Sequence, residues 1–183
     1  MKKLTTRDLI LCALFTALIA IGAFIRIPIP QIPFTLQFLF TTLAGLLLGA
    51  RLAGISVLVY LLLGLIGLPI FAEGGGIGYI FQPTFGYLIG FAVGAFVTGY
   101  IAHQVELPSL KRILVSNFAG LFVVYFFGLI YYYIIANYVI NIPIRAWPLF
   151  LYGFILAVPG DILICFLAAF IARRILPVLR NRL

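Results

Sequence analysis

Apolar residues fall in long, nearly continuous runs along this chain, without the alternation of a half-buried strand or the narrow stripe of a surface helix. A helix that crosses a bilayer takes about 20 mostly apolar residues, with a working range of about 17–25. The first such run covers residues 9–25 behind a basic flank of Lys2, Lys3 and Arg7. That flank also suits a signal peptide, but no small-x-small cleavage site leads into polar sequence and apolar runs continue at once, so the run is read as a retained span. Pro28, Pro30 and Pro33 follow, too dense to continue a helix, and predict a stiff loop. The run from Phe38 to Leu68 is broken only by Arg51. As one helix it would be about 46 Å long against a hydrocarbon core of about 30 Å. It therefore divides into spans at 36–50 and 52–68 that turn near Gly49-Ala50-Arg51.

Pro69 to Pro83 makes a second connection carrying Glu73-Gly74-Gly75-Gly76 and Gly78, read as a flexible loop that covers a site. Span four follows at 84–102, then a polar turn with His103, Gln104, Glu106, Ser109, Lys111 and Arg112, then span five at 113–136. Asn137, Asn141, Pro143 and Arg145 mark the third connection. Span six, 147–172, opens on Trp147-Pro148, a tryptophan suited to the interface and a proline suited to a first turn. The expected fold class is an all-α membrane protein, one integral membrane domain over 1–183 with six transmembrane helices.

Composition agrees with that reading. The chain is 65% hydrophobic and 9% charged, with a mean hydropathy of +1.27, where a soluble domain is about 45–50% apolar and about 25% charged. The net charge of +8 raises the question of nucleic acid, but the placement of the basic residues excludes it. Lys2, Lys3, Arg7, Arg51, Lys111, Arg112, Arg173, Arg174, Arg180 and Arg182 sit at the termini or in the short 2–3 and 4–5 turns, and only Arg26 and Arg145 fall on the other side. By the positive-inside rule both termini lie in the cytoplasm of a multi-pass protein of the cell membrane. Cys12 and Cys165 lie inside apolar runs and His103 is the sole histidine, so no zinc site is expected.

Few residues can carry chemistry. Asp161 falls about 14 residues into span six, about 21 Å along the helix axis, where an ionisable group faces the interior and needs a partner. No charged residue lies within a turn of it, so that partner comes from another helix or a ligand, and Pro159-Gly160 can loosen the helix toward a cavity. Tyr87, Gln82 and Thr84 offer hydroxyl and amide groups at the start of span four, and Tyr125, Tyr131, Tyr132 and Tyr133 along span five, either as site lining or as an interfacial belt. The glycine loop lacks a preceding strand and the Gly-Lys-Ser/Thr ending of a phosphate-binding loop. With no hydrolytic constellation and no nucleotide motif, the chain is expected to be neither an enzyme nor an ATP motor, and to need no cofactor. Small residues recur four apart at Gly86, Gly90 and Gly94, at Gly45 and Gly49, and at Ala13 and Ala17, for packing inside the bundle or against a partner.

Four motifs, in order along the chain, resemble the BioY family: Pro33-Phe34-Thr35-Leu36-Gln37, Gly67-Leu68-Pro69-Ile70-Phe71, Pro83-Thr84-x-Gly86-Tyr87-Leu88-x-Gly90-Phe91, and Pro159-Gly160-Asp161. BioY proteins are the biotin-binding S components of energy-coupling factor (ECF) vitamin transporters. The resemblance implies a six-helix substrate-capture subunit that binds biotin near the outer face under its first and third outer loops. A transmembrane coupling subunit and a pair of ABC-type ATPases would drive uptake, so ATP acts only through partners. It also implies that Asp161 accepts N–H bonds from the ureido ring, that Thr35, Gln37 and Tyr87 line or cap the site, and that Ala13 and Ala17 form a docking face on span one. Tyr125 and Gln82 complete the expected substrate-binding set. Many family members carry a lysine three residues after this aspartate, where this chain has Ile164. Biotin's own carboxylate needs a donor as well, with Arg26, a Gln, a Tyr or a backbone N–H as candidates. The competing readings are a stand-alone secondary transporter in which Asp161 carries a proton, and a small intramembrane enzyme.

Overall fold

The computed structural model describes residues 4–27 and 32–180. Pro28 and Pro30 of the expected stiff loop, and the basic residues Lys2, Lys3 and Arg182, lie outside the described residues. Local sequence sets the helix ends. Thr5 accepts from the Asp8 amide at 3.2 Å while the Asp8 carboxylate accepts from the Thr5 amide at 2.9 Å, a capping box that starts α1 at Thr6–Phe24. Gly49, at φ 83°, closes α2 (Gln37–Leu48) and opens α3 (Ala50–Leu65) in a single residue, a conformation that a side chain would oppose. Then come α4 (Phe85–Ala102), α5 (Leu110–Ile134) with Ser109 capping the Arg112 amide, α6 (Ala146–Phe150) and α7 (Val158–Arg180).

Four stretches among the described residues are long and apolar enough to cross a membrane: Thr6–Phe24, Phe85–Ala102, Leu110–Val139 and Ala146–Val178. The helices α2 and α3 are shorter, about 18 Å and about 24 Å at the standard rise: Gly49 ends α2 early and α3 stops at Leu65, before the expected bound of 68. Ahead of α2, Phe34 and Thr35 pair as β2 with β1 (Arg26–Ile27), in antiparallel register Arg26 to Thr35 and Ile27 to Phe34. Apolar periodicity gives no sign of this ladder. Leu68 bends back by donating to the Leu63 carbonyl.

The bundle is apolar outside and holds its polar groups inside. Leu9, Ile10, Leu14 and Ile21 of α1 and Leu163, Phe166, Leu167 and Phe170 of α7 face outward, as do Ala13 and Ala17. Inside, Thr16 donates to the Ser56 carbonyl at 2.9 Å, Thr98 to the Ser116 carbonyl at 3.2 Å, and Asn117 to the Cys165 carbonyl at 2.8 Å. These bonds tie α1 to α3, α4 to α5 and α5 to α7 where water cannot compete. The glycines of α4 face α5: a Cβ at Gly90 would lie 2.8 Å from the Val124 backbone, and one at Gly94 2.9 Å from the Gly120 carbonyl. Gly45 of α2 meets α4 as closely, at the Ala95 carbonyl. Packing inside the bundle accounts for these small residues.

The sixth apolar run differs from the continuous helix of the sequence reading. The chain leaves α6 through a π-helical turn, Leu151–Ile155, and a bend at 156–157 before α7 restarts. Pro159 is the physical reason. It has no N–H to donate to residue 155, and its ring would collide with that carbonyl in an unbroken helix, whereas a first turn accepts it. Asp161 therefore lies in the first turn of α7, near the middle of the 33-residue apolar stretch Ala146–Val178. The glycine loop is also anchored. Phe71 packs on Gly64, the Gly76 amide donates to the Gly64 carbonyl at 2.7 Å, and Phe71 and Gly74 form an antiparallel bridge.

Candidate functional site

At the end of the bundle that carries the glycine loop, a cleft opens between the β1–β2 ladder, that loop, α4, α5 and the break before α7. It holds about 630 Å³ of atom-free space, the open solvent at its mouth included, and about 70 Å³ of that is free for the centre of a water-sized sphere, so its walls stand close together. Most of its wall is apolar, with Phe34, Phe38, Leu88, Phe91, Val124 and Ala157.

Asp161 is on that wall and only 8% exposed. Its Oδ2 accepts from the Tyr125 hydroxyl of α5 at 2.5 Å, and Oδ1 has no hydrogen-bond partner among the described residues. The partner required from another helix is thus Tyr125. The first turn of α7 adds a favourable field, since the N-terminal end of a helix carries partial positive charge.

Tyr87 stands beside this pair. Its ring meets that of Tyr125 edge-on at 6.0 Å, and Phe154 meets Tyr125 from the other side at 5.0 Å. The Tyr87 hydroxyl donates to the Gly153 carbonyl at 3.0 Å. Glycine at 128 lets the Tyr87 ring lie against α5, where a Cβ would occupy the ring's position.

A second polar line starts on β2. Thr35 donates to the Gln37 Oε1 at 3.2 Å, Gln37 donates to the Tyr60 oxygen at 2.8 Å, and Tyr60 donates to the Ile70 carbonyl at 3.0 Å. Gln37, 2% exposed, thereby connects the cleft wall to the base of the glycine loop through Tyr60.

The structure therefore brings Asp161, Tyr87, Gln37, Thr35 and Tyr125 to one cleft, and it leaves Gln82 exposed outside the wall. It adds Tyr79, Ala72 and Gly153, which sequence reasoning passed over. Tyr79 sits inside a glycine-rich loop with no periodicity to mark an inward face, and burial pushes its phenol above its ordinary value. Thr84, beside Tyr79, is buried without a well-formed hydrogen bond. Ile164 points into the apolar core, 5% exposed and away from the cleft. Of the tyrosines read as a possible belt, Tyr133 is exposed, Tyr132 is buried and Tyr131 donates to the Ile80 carbonyl at 2.6 Å.

Arg26 of β1 lies outside the wall and donates to the carbonyl of the wall residue Ala72 at 2.5 Å. Two of the sequence motifs also meet here: the Phe34 ring packs against Gly160, so close that a Cβ there would lie 2.7 Å from the ring. Among the described residues no three His, Cys, Asp or Glu side chains gather to hold a metal. What remains is a binding cleft: an apolar wall around one fixed carboxylate with one oxygen available to N–H donors.

The chain is 45% identical over 181 residues to the probable biotin transporter BioY of Lysinibacillus sphaericus, covering 99% of this chain and 92% of that one. It is 40% identical over 170 residues to the biotin transporter BioY of Thermotoga maritima, covering 92% and 95%. Its fold is similar to the crystal structure of the S-component for biotin from an ECF-type ABC transporter, with a TM-score of 0.79, 29% identity and 94% of each chain covered. The BioY family matches residues 1–181. With this match spanning nearly the whole length, the chain belongs to the BioY family.

Proposed function

We propose that this protein is the substrate-capture S component of an ECF-type importer and binds biotin in the cleft beside Asp161. The observation that carries the reading is the buried Asp161 carboxylate, held by Tyr125 on one oxygen and open on the other. Biotin's ureido ring offers N–H donors to such an oxygen, and charge-assisted bonds of this kind are the strong ones. Its thioether ring and aliphatic chain suit the apolar walls of Phe34, Phe38, Leu88 and Phe91. Tyr87, Gln37 and Thr35 act as polar lining.

Six spans with both termini in the cytoplasm of the cell membrane follow from the ten-to-two division of basic residues. In that orientation the cleft opens outward. The chain carries no nucleotide motif, so transport falls to a coupling subunit and an ATPase pair, with the outward-facing Ala13 and Ala17 of α1 as the docking face. Isothermal titration of detergent-purified protein with biotin tests the reading, with thiamine and riboflavin as controls. The expected result is saturable binding of biotin alone. Folded protein that ignores biotin at micromolar concentration would overturn it.

A further inference from the structure

The charge in the cleft is one-sided. Asp161 is the only Asp, Glu, Lys, Arg or His among the described lining residues, and it is buried in the wall. A ligand that donates N–H groups to Asp161 and also carries a carboxylate, as biotin does in the function proposed above, must keep that second anion at the opposite end. Two carboxylates in a low-dielectric cleft repel strongly. The opposite end is the mouth, and the exposed Arg26 adjoins the wall through its bond to Ala72 and its pairing with Thr35.

Arg26 is on β1, at the start of the two-residue ladder that carries Phe34 and Thr35 into the cleft. Its Nη1 donates to the Ala72 carbonyl, and Ala72 is on the cleft wall. A guanidinium has five N–H donors in a planar fork, and one of them is used on Ala72. The buried Thr84 hydroxyl, without a well-formed bond, is a second donor on the same wall.

We infer that Arg26 receives the ligand's carboxylate at the cleft mouth, and that this contact makes the protein select the free acid over its esters and amides. The bond to Ala72 holds the guanidinium in place from its other side, so the fork is oriented before ligand arrives. Because Arg26 is exposed, its contribution sits at or below the low end for a charge-assisted bond, roughly 3- to 10-fold in affinity.

The test compares biotin with biotin methyl ester on the full chain in detergent, for wild type, Arg26→Gln and Arg26→Lys. Wild type should bind the acid about 3- to 10-fold more tightly than the ester. Arg26→Gln should lose that factor on the acid, keep the ester affinity within about twofold, and bring the ratio of the two near one. Arg26→Lys should retain part of the preference. Equal loss on acid and ester would show that Arg26 only fastens the loop, and would overturn the inference. So would a wild-type protein that binds acid and ester equally, a comparison that needs no variant to fold. Binding of neither ligand by folded wild type would instead remove the biotin reading itself, and Arg26's role with it.

Discussion

Asp161→Asn separates a carboxylate that binds ligand from one that only completes the fold. In the wild-type protein Oδ2 is committed to Tyr125, and Oδ1 meets no hydrogen-bond partner among the described residues. The amide has a single acceptor oxygen, and the Tyr125 hydroxyl claims it. Turning the amide over would leave the Tyr125 hydrogen without an acceptor in a wall formed by Val124, Phe154 and Ala157. The Nδ2 group therefore faces the cleft, donor against the ligand's own N–H. Ligand loses a hydrogen bond to a charged group, about 1.5–3 kcal/mol, and buries an N–H without an acceptor at about 1–3 kcal/mol. The sum is about 2.5–6 kcal/mol, or roughly 10²- to 10⁴-fold in Kd for biotin. Stability of the ligand-free protein should hold or rise, since the substitution removes a buried charge. Titration calorimetry reads the first effect and thermal unfolding in the same detergent the second. The double variant Tyr125→Phe with Asp161→Asn adds a sharper condition. Without the hydroxyl the amide can turn its oxygen to the ligand, so the double variant should bind better than Asp161→Asn alone, a non-additivity that only coupled residues produce. An Asp161→Asn protein that stays folded and keeps biotin affinity within about threefold would refute the assignment.

Tyr87→Phe removes the buried donor to the Gly153 carbonyl at 3.0 Å and should lower stability by about 1–3 kcal/mol, read as a fall in the unfolding temperature. Gly90→Ala places a Cβ 2.8 Å from the Val124 backbone, where a helix and not a side chain must yield, whereas Gly78 faces open space. The first should cost about 1–3 kcal/mol by overpacking and Gly78→Ala close to nothing, a contrast visible in thermal stability and yield. Ala17→Trp on the outward face of α1 should leave biotin titration in detergent unchanged and abolish uptake by cells that co-express the coupling subunit and ATPases. Uptake by vesicles holding this chain alone, without ATP, would favour the proton-coupled alternative.

The parts of the fold that were legible in the sequence are those set by bulk transfer to lipid. The long apolar runs and their breaks at Gly49, Pro69 and His103 come from residue type alone. Asp161 stood out because an ionisable group in an apolar run is costly and must find a partner, in a ligand or in the fold. Less visible were features that depend on who meets whom. The pairing of Arg26 with Thr35 rests on two residues on either side of a proline-dense loop, below the length at which period-two alternation can register. Tyr60 lies in the middle of an apolar helix, and only the positions of Gln37 and Ile70 give its hydroxyl a purpose. Gln82 was favoured for being polar and near the motif with Tyr87, but the 3₁₀ turn Ile77–Phe81 directs Tyr79 inward and leaves Gln82 exposed.

The break before α7 explains how this protein tolerates its carboxylate. An aspartate amid a continuous membrane helix would sit beside amides already bonded to carbonyls four residues back, with little positive potential to offset the loss of water. Restarting the helix at Val158 places Asp161 in a first turn, where the field of the helix favours negative charge. The same interruption presents the Gly153 carbonyl to Tyr87, which fastens the break to α4. Pro159 forces the restart, Gly160 admits the Phe34 ring against the backbone, and Asp161 turns to Tyr125. Three consecutive residues thus do three different physical tasks, and each fails if the helix runs straight through. A fixed α4–α5 pair packed through glycine and an interrupted helix carrying the acid leave Asp161 with one oxygen that no described residue bonds, the place where the proposed ligand's N–H donors would act.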